Sequence, residues 1–315
     1  MAVRRPGGAS VPERVGGEKA MTATASDWQV IGETRDRLGE SPLWHPRERA
    51  LYWVDFYGPA LHRLDPESGV HRQWTLGAAP TIGSLSFTND GRLLLAMQNG
   101  IYLFDPADGV MTFVTDPNKG RPGIGYNDAK VDRDGRYWVG TYDLKERAPR
   151  GIFYRLDADG HATVGDSGFI VCNGPAFSPS GETLYFSDSA GRRLLAYDLD
   201  RRTGALSEPH LLVRFSETEG IPDGLCVDSA GAIYCAHYGG GRITRFSPGG
   251  ERLEVLHLPV RNVTSCCLGG AALDILYVTT AEDGGAHRFD GALFAIRATV
   301  PGLPEPFSSS CLPPN

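Results

Sequence analysis

No apolar run in this chain approaches the ~20 residues that a helix needs to cross a bilayer, and no cluster of basic residues occurs anywhere in it. The first absence argues against a helical membrane span. The second, with 31 Lys and Arg against 38 Asp and Glu for a net charge of −7, argues against nucleic acid and anionic membrane surfaces as partners. A long apolar stripe of helical period is also missing, so helix should be scarce. None of the 6 cysteines forms a C-x-x-C pair, which argues against a structural zinc site. Cys172, Cys226, Cys235, Cys266 and Cys267 lie in or beside β-prone runs and are expected to be buried thiols acting as small apolar groups; Cys311 lies near the C-terminus. No hydrophobic segment follows Arg4-Arg5, so no export signal is read there, a cytoplasmic location is expected, and the sequon Asn262-Val263-Thr264 carries no expectation of a glycan. The first 26 residues hold almost no large apolar side chain and read as a disordered tail, with Met21 as an alternative start. The folded unit is expected over residues 27–315.

What the chain does have is a repeat. A polar or small residue followed by an apolar residue four places on recurs six times: E-S-P-L-W from Glu40, G-S-L-S-F from Gly83, N-D-A-K-V from Asn127, N-G-P-A-F from Asn173, D-G-L-C-V from Asp223 and T-S-C-C-L from Thr264. Successive starts are 43, 44, 46, 50 and 41 residues apart, a period that marks a solenoid or propeller. After each start comes a turn, such as Asn89-Asp90-Gly91 or Arg133-Asp134-Gly135, then a β-prone run, such as Leu51-Tyr52-Trp53-Val54 or Leu184-Tyr185-Phe186. A third strand follows, as in Ile101-Tyr102-Leu103-Phe104. This is hairpin chemistry repeated, close to one four-stranded blade per unit. The reading is an all-β, six-bladed β-propeller, its ring locked by Trp28-Gln29-Val30-Ile31 completing the last blade.

Residues at one phase of such a ring converge on its axis. Glu40, Asn127, Asn173 and Asp223 share that phase, and two carboxylates with two amides suit a hard cation. Asn and Asp before Gly also form ordinary turns, so Asn173-Gly174 and Asp223-Gly224 keep that alternative, and Asn127 keeps a role in capping its own turn. Asp55 and Asp188 share another phase and read as satisfied strand-end carboxylates. His45 and His237 lie near the expected mouth and read as packing or surface residues.

The same segments carry a family resemblance. Gly39-Glu40-Ser41-Pro42-Leu43-Trp44 resembles the opening signature of the SMP-30/gluconolactonase/regucalcin-like (LRE) family of six-bladed propellers. Asn127-Asp128-Ala129-Lys130-Val131-Asp132, Asn173-Gly174-Pro175, Pro222-Asp223-Gly224 and Tyr238-Gly239-Gly240-Gly241-Arg242 resemble its later motifs in order, over about residues 30–305. The resemblance implies one divalent metal cation, calcium, zinc, manganese, magnesium or ferrous iron, held by Glu40, Asn173 and Asp223. It implies a small-molecule lactone as substrate, Asp223 as general base and ligand, and Asn127 beside substrate or water. A monomer or weak homo-oligomer is expected.

Two departures bear on specificity. Sugar-lactonase members carry an Arg where this chain has Gly125, and a Glu where it has Lys145. Arg121, or Lys145 with Asp143, are the candidate replacements for contacts to substrate. If neither fills the space, Gly125→Arg is expected to improve turnover of hydroxyl-rich lactones. Two function classes follow: a metal-dependent lactonase, or a non-catalytic propeller that binds calcium or a small ligand in regulation. A propeller hydrolase of phosphoesters is a weaker third.

Overall fold

Gly91, Gly135, Gly181 and Gly231 adopt positive φ between 76° and 89°, a conformation that Gly enters at little cost. Each closes a hairpin between a phase strand and the β-prone run after it in the computed structural model, which describes residues 22–23 and 27–309. Six sheets result, antiparallel except for one short edge strand, and five of the blades run in chain order from an inner to an outer strand. Blade one is Gly39–His45, Ala50–Asp55, Ala60–Leu64 and His71–Thr75; blade two is Ile82–Phe87, Leu93–Met97, Gly100–Phe104 and Met111–Thr115. Blade three is Ile124–Val131, Tyr137–Asp143, Gly151–Leu156 and Ala162–Phe169. Blade four is Cys172–Phe177, Thr183–Asp188 and Arg193–Asp200, with Ala205–Leu206 and His210–Arg214 both paired to the last of these. Blade five is Ile221–Val227, Ile233–Tyr238, Arg242–Phe246 and Arg252–His257.

Blade six has three strands of its own, Val263–Gly269, Ile275–Thr280 and Leu293–Arg297, and takes its fourth from the other end of the chain. Gln29–Ile31 pairs antiparallel with Leu293–Ala295, as the sequence predicts, and Trp28 Nε1 donates to the His257 carbonyl of blade five at 2.7 Å. Thr22–Ala23 lies parallel to Val255–Leu256 on the edge of blade five. The rest of the tail expected over residues 1–26 lies outside the described residues.

Apolar side chains of neighbouring blades interlock, so each gap has its own core. Tyr52 and Val54 meet Leu85 and Leu95 between blades one and two; Trp138 and Phe153 meet Phe177 and Phe186 between three and four. The sixth core, with Trp44 stacked 5.8 Å from Tyr277, joins blade six to blade one and closes the ring. The molecule is the all-β six-bladed propeller that the repeat predicts. The five described cysteines are free and buried.

One element has no counterpart in the repeat. Residues 301–309 turn back across the far ends of the inner strands. Gly302 bridges to Asp228 in blade five and Ser308 to Thr88 in blade two, while Ser309 donates to the Gly135 carbonyl in blade three. Glu305 meets Lys130 at 3.4 Å beneath the ring.

Candidate active site

Every inner strand breaks register with its neighbour at the phase position. The shifts fall between Glu40 and Leu43, Ile82 and Ser84, Tyr126 and Ala129, Asn173 and Ala176, Pro222 and Leu225, and Val263 and Ser265. A bulge re-aims the side chain that it carries, which is how a strand otherwise packed on both faces presents one polar group at its end. Small residues beside the bulges let the blades touch. A β-carbon at Gly224 would lie 2.1 Å from Ser265 Oγ, and one at Gly83 would lie 2.6 Å from the Asn127 carbonyl oxygen.

Glu40, Asn127, Asn173 and Asp223 line one cavity of about 190 Å³, with Ser189 and walls of Phe56, Tyr142 and Tyr238. Asn127 Nδ2 donates to the Cys172 carbonyl at 2.9 Å and to Asn173 Oδ1 at 2.7 Å. The Cys172 carbonyl accepts only, so it fixes which end of the Asn127 amide is nitrogen. Asn173 Nδ2 donates to Ser189 Oγ at 3.1 Å, and Ser189 Oγ donates to the Pro222 carbonyl at 2.7 Å. The chain of bonds therefore locks the Asn173 oxygen in one orientation with a lone pair to spare.

The charges are poorly matched. Glu40 and Asp223 are 6% exposed. Burial, then the negative charge of Asp223, pushes the Glu40 carboxyl well above its usual range. Burial, then Asp128, does the same to Asp223. Burial also raises Asp128 to about 7, although Lys130 and a 3.1 Å bond from the Gly174 amide work against it. Asp223 Oδ1 is buried with no hydrogen-bond partner among the described residues. Clustered carboxylates of this kind call for a positive charge between them. Among the described residues no three His, Cys, Asp or Glu side chains gather into a metal-holding group. A cation here therefore rests on two carboxylates and the Asn173 amide oxygen, a donor set that fits a hard divalent ion.

Arg121 and Lys145 do not line this cavity. Arg121 is held by Asn118 Oδ1 at 2.9 Å and by the Arg150 carbonyl at 2.6 Å, and Lys145 is exposed. The space at Gly125 is filled by neither. A β-carbon there would lie 2.7 Å from Tyr142 Cε1, so a tyrosine ring stands over the position where, by the resemblance, sugar-lactonase members carry a guanidinium that this chain lacks. Asp143 takes no part either: its carboxylate accepts the amides of Arg147 at 3.1 Å and Ala148 at 3.3 Å. The turn so made brings Glu146, one residue beyond Lys145, to the cavity wall. Sequence reasoning passed over Glu146, although the resemblance places a Glu at the neighbouring position, Lys145, and a carboxylate at Asp143 is able to cap the turn. Asp55 and Asp188 are satisfied structural groups, bonded to the amides of Leu38 and Gly191. His45 packs on Phe87 and Phe307. His237 is bonded to the Glu219 carbonyl and packs on Phe215.

Comparison with known proteins agrees with this geometry. The model of the SMP-30/Gluconolactonase/LRE-like region matches residues 38–282. A pentonolactonase of Haloferax volcanii is 37% identical over 87% of this chain and 96% of its own. A 6-deoxy-6-sulfogluconolactonase of Pseudomonas putida is 36% identical over 85% and 94%. The crystal structure of a calcium-binding protein, regucalcin, from Agrobacterium tumefaciens superposes with a TM-score of 0.86 at 27% identity, over 91% of this chain and 99% of that one.

Proposed function

This chain belongs to the SMP-30/gluconolactonase/LRE-like family, and from that premise we propose that it is a metal-dependent hydrolase of small, sugar-derived lactones. The observation that carries the reading is the pair of buried carboxylates, Glu40 and Asp223, with Asp223 Oδ1 unpartnered beside two locked amides. In this reading Glu40, Asn173 and Asp223 hold one divalent cation. When bound, the cation supplies positive charge that polarises a lactone carbonyl. Asp223 takes the proton from the attacking water as general base and returns it to the alkoxide released on ring opening. Asn127 has committed both Nδ2 hydrogens to Cys172 and Asn173, so it acts through Oδ1, accepting a bond from the water or from a substrate hydroxyl. Oxygen donors suit calcium, magnesium or manganese, with zinc and ferrous iron also compatible. One ring carries the whole site, so a monomer suffices. Relatives named as lactonases support the reaction class.

The likeness to a calcium-binding regucalcin favours a second reading, cation binding without catalysis. One experiment separates the two: purified protein, stripped with chelator and reloaded with calcium, manganese, magnesium or zinc, is assayed by pH indicator against a panel of lactones. Hydrolysis is expected only with a divalent ion present. Glu40→Gln and Asp223→Asn should lose bound metal by elemental analysis while keeping the native circular-dichroism spectrum, and Asp223→Ala should be inactive. Calcium binding with no lactone opened would favour the regulatory reading, and full metal occupancy in both variants would remove these ligands from it.

A further inference from the structure

The cavity wall has a consequence for substrate charge. Among the described residues, Glu40, Asp223 and Glu146 are its only ionisable residues besides three tyrosines, and no Lys, Arg or His lines it. A divalent ion held by Glu40 and Asp223 balances those two charges and leaves Glu146 uncompensated. The Glu146 side chain is exposed, and among the described residues its carboxylate has no hydrogen bond or ion pair. Its placement is nonetheless built. Glu146 sits at φ 50° in a turn closed by its own amide on the Asp143 carbonyl at 2.7 Å, and the Asp143 carboxylate pins the two residues that follow. Phe56, Tyr57 and Tyr238 line the same cavity, and the ring of Tyr142 covers Gly125. The Glu146 charge acts on Tyr57, Tyr142, Tyr238 and Asp223 alike, so all four lie within its electrostatic reach. Arg37 lies beside the mouth, 5.6 Å from the Tyr57 ring, but its guanidinium is engaged by the Tyr57 carbonyl at 3.2 Å and by Glu282 at 3.8 Å.

We infer that Glu146 is a specificity-determining residue that restricts this enzyme to uncharged lactones and turns away those bearing a sulfonate, phosphate or carboxylate. The inference rests on the lactonase reading above and names the substrate class within it. The two relatives differ on this point, one being named for a sulfonated lactone and one for a pentonolactone, and family membership alone does not choose between them. Unpaired, the Glu146 carboxylate accepts bonds from substrate hydroxyls. An anion brought to the same wall meets like charge with no free cation to offset it, at a carboxylate that is itself exposed at the rim of the cavity. The aromatic faces suit the C–H face of a small ring, and a volume of about 190 Å³ falls below the ~300–1,000 Å³ of sites for larger ligands.

The test is a matched pair of substrates, gluconolactone and its counterpart with a sulfonate in place of the terminal hydroxyl, assayed on the manganese-loaded protein. The native protein should favour the neutral lactone in kcat/KM by about tenfold or more. Glu146→Gln should cut that preference by about tenfold, and Glu146→Lys should reverse it. Raising the ionic strength should shrink the preference of the native protein but not that of Glu146→Gln, since a partly exposed charge is screened by salt. Equal use of both lactones by the native protein would overturn the inference, and so would a ratio unmoved by both substitutions. Failure to open either lactone would instead overturn the lactonase reading, and this inference with it.

Discussion

Gly125 leaves no room for a side chain, because a β-carbon there would press on Tyr142 at 2.7 Å and on Leu144 Cδ2 at 3.0 Å. Tyr142 is buried, its ring 5.9 Å from Phe56, so it cannot step aside without opening its own packing. Gly125→Arg is therefore expected to destabilise the fold by about 1–3 kcal/mol through overpacking, instead of supplying a substrate contact. Urea titration measures this, and adding Tyr142→Ala should return part of the loss and admit the guanidinium to the cavity. Native stability in Gly125→Arg alone would mean that the tyrosine ring swings clear. The contrast with Glu40, Asn127, Asn173 and Asp223 shows what a sequence of this kind discloses. Those four are fixed by a period that runs through the whole chain, so their convergence is legible without coordinates. Arg121 and Lys145 lie in turns whose course is set by local hydrogen bonds, from Arg121 to Asn118 and Arg150 and from the Arg147 and Ala148 amides to Asp143, and a one-residue change of course exchanges Lys145 for Glu146.

At the scale of the strand, turn glycines and β-prone runs announce the hairpins, but the bulge at each phase position leaves no mark of its own. It is read only from register, and it explains why strands buried on both faces can still offer a carboxylate to a cavity. Packing of the second strand of blade five illustrates a cost of that burial. His237 is fully buried, its imidazole bonded to the Glu219 carbonyl at 2.8 Å. Burial chiefly lowers its pKa to about 4 from 6.5, partly offset by that carbonyl. The folded state therefore refuses a proton that the unfolded state accepts. The contribution of His237 to stability is complete above pH 6.5 and is lost as pH falls toward 4. Between pH 7 and pH 5 the loss should be about 2 kcal/mol. His237→Gln keeps a donor for Glu219 and removes the titration. The difference between native and variant stabilities, from urea midpoints at the two pH values, should narrow by that amount in acid. A difference that stays constant with pH would show that His237 is protonated in the folded state.

At the scale of the whole molecule the ring is closed twice. Gln29–Ile31 closes it at the rim, in blade six, and the short N-terminal β-prone run makes that closure visible in sequence. Residues 301–309 close it beneath, and these, with Pro301, Pro304 and Pro306, carry no periodic signal. This segment ties blades that are not neighbours in sequence: Ser229 of blade five donates to the Pro301 carbonyl, Gly302 donates to Leu273 of blade six, and Asn89 of blade two donates to Ser308. Phe307 packs 5.4 Å from Phe87 and accepts Arg47 over its ring at 5.1 Å. Its main electrostatic consequence falls on Lys130, only 13% exposed, which works against the burial of its ammonium with help first from Glu305 at 3.4 Å. Breaking a partly buried pair from one side leaves the other charge poorly compensated, which costs about 1–3 kcal/mol. Glu305→Gln is thus expected to lower stability by a few kcal/mol, and Glu305→Gln with Lys130→Met to recover most of it, since the methionine keeps the packing volume and discards the charge. Deleting residues 302–315 should cost more than Glu305→Gln, because it also removes the ties to blades two, three and six. If thermal unfolding finds the deletion no less stable than the full chain, the segment is dispensable and the cores between the blades close the ring unaided.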